Sequence, residues 1–582
     1  MRFLSIITLF FLSVTGGGGS ALASKKSLLL ELCPSVVLDE KIDPELNDTE
    51  KRLLCGDPDS PSWNHLPHNQ VEFNLKNFLQ DRGYFQPSFN DSPEKISVNL
   101  GHQTRVSGVQ ARGTPESLHL ERKRKLVGEV LTPRLLDNYQ GWLIRELKSE
   151  GYACAEIKSD ADPDSGLITL EIKPHALQTL DTIQESDVPG LLRGILRRYD
   201  AFKLGELYNE DWLSLSERRL LSEGLVESAH FTTLCTVPKD GSKEPNAKVI
   251  QEVVAGPPRV LVLGVGVNTE RGPIGRVSWK NTRLGNTSSS VTVAAQGSFK
   301  DQRLYSIFDW YFHPEPSRVS LRPLAEFKHV NEQYYEYTDT RGQVALSNTW
   351  DSYAIGAWAR MGPTLDIYRT LNGPGVDHSK FLSWETQAQI QSHDFEFYLN
   401  SPRSGFRVQT TVDLNSRAFV SDATAERFTL LGEALWNYRH YDPPLWVFGV
   451  RGGLSSVLTP ERPGPGTILP ANYLQYLGGS TDLRGFGRQE LPLSGNGSLT
   501  SVFVSLEVRK SEFLHVSLEP LFFLDLGALG DTPFQLQAPI YYSPGFGLRW
   551  ASPVGVFRGT AAHGFPGELG HWQFLVSFGE EF

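Results

Sequence analysis

The amino-acid sequence predicts small α/β modules at the N-terminal side, followed by an antiparallel transmembrane β-barrel of about sixteen strands. Three observations support this fold class. The front half repeats an amphipathic helix that reaches a glycine and leads into a strand. The back half consists of short segments in which apolar and polar residues alternate. The change between these two characters falls near "AGPPRV", residues 255–260.

The N-terminus has the features of an export signal. Arg2 precedes a short apolar core, and "ALA" at 21–23 forms a small-x-small cleavage site, so we expect the mature chain to begin at Ser24. Beyond this segment, no run of about 18 apolar residues predicts a transmembrane helix. The formal net charge of −11 argues against a general nucleic-acid binder.

The four cysteines all lie in the first half of the chain. An exported chain can form disulfide bonds, and four cysteines allow three pairings. We favour Cys33–Cys55 together with Cys154–Cys235, and the alternative is that these residues are buried free thiols. No C-x-x-C motif or Cys/His cluster indicates a metal site. We also find no G-x-S-x-G, H-E-x-x-H or P-loop motif, so we expect no catalytic residues and no cofactor.

The repeat in the front half consists of segments 73–89, 139–157 and 213–231. Each segment has apolar residues at helical spacing, then a glycine suited to a helix C-cap, then a strand. The second copy continues through the turn "DPDSG" into "LITLEIKP", which adds a further strand. The expected divisions are a signal peptide at 1–23, modules at 24–111, 112–176 and 177–256, and a barrel at 257–582.

In the back half of the chain, apolar and polar residues alternate with a period of two. "VSLEVR" at 504–509 places Glu507 on a polar face, and "FFLDLG" at 522–527 does the same for Asp525. In a membrane barrel such charges face a wet lumen, while the apolar face meets lipid. Nine of the twelve tryptophans follow residue 259. This agrees with a membrane barrel, in which tryptophans form aromatic girdles at the two membrane–water interfaces. On pattern alone, a water-soluble β domain is the alternative.

One loop sequence carries a family resemblance. "LGGSTDLRGFGRQELPL" at 477–493 contains Leu483, Arg484, Gly485 and Phe486, which match the (V/I)RG(F/Y) signature of the sixth extracellular loop in the BamA/TamA superfamily. Leu483 departs mildly from the usual first residue. The sequence therefore resembles this superfamily of outer-membrane assembly and translocation proteins.

Three later stretches agree with the resemblance. "FFLDLG" is similar to the F-x-D-x-G element of a late barrel strand. Residues 543–565 resemble the penultimate region of the family, with Val556 in place of a proline, and the chain ends on Phe582. The front modules resemble POTRA domains, which implies the order β-α-α-β-β. Three modules make TamA the most similar member, because BamA carries five and two-partner secretion translocators carry two.

The resemblance implies that the loop folds back into the barrel, where Arg484 needs a fixed carboxylate partner. Asp525 is the expected partner, with Glu507 and Glu519 as alternatives. We expect Gly485 to permit a tight turn behind the arginine and Phe486 to pack the loop tip. The pair would be a structural latch. The alternative is a solvated surface arginine in a glycine-rich loop.

The resemblance also implies a lateral seam between the first strand, 259–268, and the last strand, 572–582. Glycines weaken a strand, so the seam could open and offer its edge to a client strand. The alternative is that the glycines only accommodate barrel curvature. The seam residues are Gly264, Gly266, Trp572, Phe574, Phe578 and Phe582.

These expectations define a bacterial outer-membrane protein with POTRA domains in the periplasm. Its implied function is to insert or secrete β-barrel and autotransporter clients, with outer-membrane lipid around it. The resemblance also implies an inner-membrane-anchored partner similar to TamB. A secretion pore dedicated to one exported substrate is the alternative function, and an enzyme is a third possibility that no motif supports.

Overall fold

The computed structural model describes residues 30–192, 194–234, 246–313, 318–399, 402–464, 466–511, 513, 518–552, 555–566 and 571–578 of the 582-residue chain. The expected signal peptide, Cys235 and Phe582 lie outside the described residues.

The chain divides into two compact units. One comprises Met1–Gln110, Val127–Tyr139 and Ser159–Thr169, and the other comprises Ala111–Leu126, Gln140–Lys158 and Leu170–Phe582. This division passes through the expected second module, 112–176. The module boundaries taken from the sequence stay a prediction.

The first module is an α/β sheet with two helices. Its elements are β1 (Leu30–Cys33), β2 (Val36–Leu38), α1 (Asp48–Cys55), α2 (His68–Gln80), β3 (Ser88–Asp91) and β4 (Ile96–Asn99). The strands lie in the order β1-β2-β4-β3, and Leu54, Leu75 and Leu79 of the helices are fully buried. A disulfide joins Cys33 to Cys55, whose Cα atoms are 6.0 Å apart, so this pairing is confirmed.

Two further small sheets follow along the chain. The second module contains β5 (Gly108–Arg112), α3 (Pro133–Ser149), β6 (Glu156–Ala161) and β7 (Leu167–Lys173), with strand order β5-β7-β6. The third contains β8 (Thr179–Glu185), α4 (Glu210–Glu223), β9 (Val226–Leu234) and β10 (Asn246–Ala255), with strand order β8-β10-β9. Short 3₁₀ turns, Leu120–Arg122 and Leu196–Tyr199, stand before the long helices where the β-α-α-β-β order has its first helix.

The ends of α4 show why the sequence folds this way. The Asn209 side chain accepts hydrogen bonds from the backbone N–H groups of Asp211 and Trp212, which caps the first turn. Gly224 ends the helix with a φ of 72°, a conformation that favours glycine. The expected C-cap glycine is confirmed here. In the second module Cys154 is disulfide-bonded, while its expected partner Cys235 lies outside the described residues.

Within the described residues, sixteen antiparallel strands pair in chain order and close into a barrel. They are β11 (Arg259–Asn268), β12 (Gly272–Leu284), β13 (Ser289–Gly297), β14 (Asp301–Tyr311), β15 (Ser320–Asn331), β16 (Glu336–Ser352), β17 (Ile355–Asn372), β18 (His378–Ser392), β19 (Gly405–Asn415), β20 (Glu426–Asn437), β21 (Trp446–Leu458), β22 (Thr500–Lys510), β23 (Leu518–Thr532), β24 (Gln535–Ser552), β25 (Gly555–His563) and β26 (Trp572–Phe578). A short helix, α5 (His393–Phe397), separates β18 from β19. The expected strand number is confirmed.

The barrel strands expose apolar side chains on the outer face and bury polar ones on the lumenal face. In β17, Leu365 and Ile367 are exposed, whereas the intervening Asp366 and the following Tyr368 are buried. The same alternation places Asp525 of β23 on the lumenal face. This is the arrangement that lipid outside and polar groups inside require. Among the described helices, none is long and apolar enough to cross a membrane.

Candidate functional site

The chain between β21 and β22 folds back against lumenal side chains of the barrel. We call residues 477–491 the lumenal loop. Its ends are joined because Leu477 and Leu491 exchange two backbone hydrogen bonds of 2.9 Å. Gly478 has a φ of 118°, and a Cβ at this position would lie 2.2 Å from the carbonyl oxygen of Gly487. Only glycine fits this close backbone approach.

Arg484 lies at the centre of the lumenal loop, with 2% of its side chain exposed. Its Nε donates to Oδ2 of Asp525 at 2.9 Å, and its Nη2 donates to Oδ1 at 2.7 Å. The backbone N–H of Arg484 also donates to Oδ2, at 3.1 Å. The guanidinium lies over the ring of Phe523, 3.3 Å from the ring centroid. The structure therefore brings Arg484 and Asp525 together in a two-point ion pair.

Glu507 of β22 links the loop arginine to two arginines of the barrel wall. Nη1 of Arg484 donates to Oε2 of Glu507 at 2.8 Å. The same carboxylate accepts from Nε of Arg509 at 2.7 Å and from Nη2 of Arg558 at 2.6 Å. The loop is therefore held by a buried charge network that spans several strands, rather than by one pair.

The charged state of Arg484 follows from its partners. Burial alone lowers the pKa of the guanidinium, but the carboxylates of Asp525 and Glu507 outweigh burial and raise this pKa above its usual value. Arg484 is therefore charged in the folded loop. Glu519, the third carboxylate considered as a partner, accepts from Nη1 of Arg549 at 2.6 Å instead.

Gly485 and Phe486 place the loop against the connection that precedes the last strand. A Cβ at Gly485 would lie 2.5 Å from the backbone N of Gly564, so any larger residue must displace one of the two segments. The φ of Gly485 is not in the left-handed region, so close approach rather than turn conformation explains the glycine. Phe486 is fully buried and packs edge-on against Tyr541, with ring centroids 5.6 Å apart.

Two further contacts with carboxylates hold the loop at its flanks. The backbone N–H of Ser480 donates to both carboxylate oxygens of Glu270, at 3.0 and 3.2 Å. Nε of Arg488 donates to Oε1 of Glu332 at 2.8 Å. Both acidic residues lie in turns between barrel strands, β11–β12 and β15–β16. The loop is thus attached to both early and late parts of the barrel.

Aromatic packing holds the segment just before the lumenal loop. Tyr473 is fully buried, 4.6 Å from Phe381 and 6.2 Å from Tyr368 between ring centroids. Tyr476 lies 4.9 Å from Tyr335 by the same measure. These contacts attach the segment before the loop to β17, β18 and the β15–β16 turn. The sequence analysis did not single them out.

The first and last strands of the barrel pair with each other at the seam. β11 pairs with β12 along its whole length, from Arg259 opposite Asn281 to Asn268 opposite Gly272. Among the described residues, β11 pairs with β26 only through Val267 opposite Phe578 and Asn268 opposite Ser577.

Apolar side chains of the seam strands face outward. Val265 is 85% exposed and Phe574 is 68% exposed, and Trp572 is also exposed. Gly264 and Gly266 both lie in β11, but they differ in their surroundings. A Cβ at Gly266 would lie 3.0 Å from the carbonyl oxygen of Phe578 across the seam, whereas a Cβ at Gly264 would make ordinary van der Waals contact.

Sequence reasoning missed several residues that hold the loop. Arg509 and Arg558 lie in strands where polar and apolar residues alternate, so the sequence could predict that both face the lumen. It could not predict that both bind Glu507. Glu270 and Glu332 have no local signal, because their contacts depend on where the loop lies inside the barrel.

Comparisons with known proteins gave one domain match and several similar solved structures. The Omp85 superfamily domain matches residues 305–582. BamA from Haemophilus ducreyi lacking POTRA domains 1–3 is similar at 15% identity and a TM-score of 0.47, covering 82% of this chain and 100% of that one. CdiB from Acinetobacter baumannii is similar at 14% identity and a TM-score of 0.44, covering 88% and 96%. POTRA3-5 of BamA from Haemophilus influenzae is similar at 16% identity and a TM-score of 0.27, covering 40% and 100%.

The closed barrel and its match to the Omp85 superfamily domain define the class of protein, which is an outer-membrane assembly and translocation barrel. Within that class, residues 305–582 of this chain carry an Omp85 superfamily domain. The superfamily resemblance and the outer-membrane location are confirmed at this level. The closer likeness to TamA stays a prediction.

Proposed function

We propose that this protein is a TamA-like factor that helps to insert or secrete β-barrel and autotransporter clients through the seam between β11 and β26. The observation that carries the proposal is that β11 and β26 are neighbours in the closed barrel, with Val267 opposite Phe578, although they are the first and last of its strands. Every other neighbouring pair in that strand order is consecutive in the chain, so a strand edge can become available at the seam without a connecting segment being stretched.

The chemistry at the seam is backbone hydrogen bonding. An open β11 edge presents unpaired N–H and C=O groups, which a client strand can satisfy by β-augmentation. The outward side chains at Leu263 and Val265 are apolar and exposed, so a client strand with the same alternation would continue the lipid-facing surface. This process needs no ATP and no metal.

Arg484 acts in this proposal as a latch that fixes the lumenal loop. Its partners Asp525 and Glu507 lie on β23 and β22, a few strands from the seam. Gly485 contacts the connection between β25 and β26. The loop therefore supports the strand that forms one side of the seam, and releasing the loop is expected to loosen β26.

A disulfide-capture experiment tests client pairing. We would replace Val265 of β11 by cysteine and place single cysteines along the last strand of a model outer-membrane barrel client that is arrested during assembly. The matched control is Leu431→Cys, an exposed outward position in β20, which is paired on both sides. Crosslinks at Val265 with a two-residue period, and none at Leu431, are expected. Equal capture at both positions contradicts the proposal.

The proposal includes a partner in the periplasm. β9 (Val226–Leu234) is an edge strand of the third sheet, so its free side could pair with a strand of an inner-membrane-anchored protein similar to TamB. The alternative function, a pore for one exported substrate, predicts ion conductance in planar bilayers and export that continues when client pairing at β11 is blocked.

A further inference from the structure

A cavity of about 480 Å³ lies between the third module and the lumenal faces of β12–β18. Its described lining contains six basic and four acidic side chains. The basic residues come from both the module and the barrel. This cavity is separate from the lumenal loop, since Arg484, Glu507 and Asp525 do not line it.

Ion pairs inside the protein account for all four acidic side chains. Asp351 accepts from Arg219 at 3.0 Å and also binds Arg318. Glu396 accepts from Arg219 at 2.7 Å. A further pair joins Arg322 to Asp309, at 3.3 Å.

The fourth acid, Glu223 of α4, pairs with Lys280 of β12. Arg360 of β17 lies over the ring of Trp358, 3.9 Å from its centroid, and no carboxylate of the described chain lies within 4.0 Å of its guanidinium nitrogens. Arg360 therefore supplies a positive charge to the cavity that the described residues leave without an ion-pair partner.

Hydroxyl groups surround this arginine on the same lumenal face. In the strand register Arg360 lies opposite Ser347, and Ser347 lies opposite Ser320 on the next strand. Thr349 and Ser290 also line the cavity. Within the described chain, none of these four hydroxyls takes part in a hydrogen bond. They are donors that a ligand with several acceptor oxygens would satisfy.

We propose that this cavity binds a small phosphate-bearing molecule, with Arg360 and the hydroxyls of Ser347 and Ser320 as its ligands. A phosphoryl group has three acceptor oxygens and a charge that suits a guanidinium fork. The cavity volume exceeds that of inorganic phosphate and lies within the range of sites for small organic ligands. The phosphate group can come from a soluble ester or from a phospholipid headgroup. The proposal goes beyond client assembly and does not depend on the seam.

Titration calorimetry on the full chain in a neutral detergent tests the proposal. The probes are inorganic phosphate, glycerol 3-phosphate and short-chain phosphatidylglycerol below its micelle concentration, with succinate as a dicarboxylate control. The variant is Arg360→Gln, and the matched control is Arg276→Gln, an exposed barrel arginine outside the cavity. Heat-modifiable electrophoretic mobility verifies that each variant forms its barrel.

The expected result is saturable binding of at least one phosphate probe that is about tenfold weaker or more in Arg360→Gln and unchanged in Arg276→Gln. Binding of glycerol 3-phosphate supports a soluble source, and binding of the phosphatidylglycerol alone supports the headgroup source of the same chemistry. The proposal is overturned if no phosphate probe binds, if Arg360→Gln binds as the native protein does, or if succinate binds as tightly as the phosphates.

Discussion

Replacing Arg484 by alanine should destabilise the barrel more than neutralising its partner does. Asp525 is fully buried, and in the alanine variant its remaining described donors are the hydroxyl of Ser505, at 2.7 Å, and the backbone N–H of residue 484, at 3.1 Å. Glu507 keeps Arg509 and a second arginine of the wall, so its charge stays compensated. Leaving one buried carboxylate without its ion-pair partner costs about 3–5 kcal/mol, which is the expected loss for Arg484→Ala.

The partner substitution Asp525→Asn should cost less, about 1–2 kcal/mol. In that variant Arg484 still donates to Glu507 and Ser505, so no buried charge is left alone. The free energy of unfolding is measured by urea titration of the detergent-solubilised barrel. In the double variant, Asp525→Asn should restore part of the stability that Arg484→Ala removes, because it removes the uncompensated charge. If Asp525→Asn instead lowers the stability of Arg484→Ala by as much as it lowers that of the native protein, the reasoning is wrong.

Two other predictions follow from local geometry. Gly266→Ala should lower the thermal stability of the barrel by an amount equivalent to about 1–3 kcal/mol, because its Cβ would crowd the carbonyl oxygen of Phe578, whereas Gly264→Ala should be nearly neutral. A thermal melt that affects both variants equally would show that the seam is not closely packed at this position. Cys33→Ala, which removes the disulfide to Cys55, should destabilise the first module by about 3 kcal/mol because of the 22-residue separation, as measured by limited proteolysis of the intact protein.

The barrel and its lumenal charges could be predicted because period two fixes which face a side chain occupies. That pattern placed Asp525 in the lumen, and the signature around Arg484 suggested which loop meets it. The alternative partner Glu507 is used as well, because an arginine fork has enough donors for two carboxylates. Glu519 lies at the start of the same strand, whereas Asp525 lies at its middle, and Glu519 therefore binds a different arginine, Arg549.

Other features could not be predicted because they depend on contacts between distant segments. Gly485 lies in the expected tight turn, in which the backbone N–H of Phe486 donates to the carbonyl oxygen of Leu483 at 3.1 Å. What requires a glycine there is the close approach to the backbone of Gly564, which is far away in sequence. Glu332 binds Arg488 only because the loop crosses the lumen. The 3₁₀ turn Leu196–Tyr199 is only four residues long, too short for its pattern to be distinguished from a loop, so the full two-helix order could not be assigned to the third module.

The most direct test of the proposed mechanism is to lock the seam. Cysteines at Asn268 and Ser577, which lie opposite each other across β11 and β26, are introduced in a background without the native cysteines. The matched control joins Thr560 and Leu575, opposite residues of the β25–β26 pair. The account predicts that oxidation of the seam pair stops client assembly, that reduction restores it, and that the control crosslink leaves assembly intact. Full client assembly with the seam pair oxidised would contradict it.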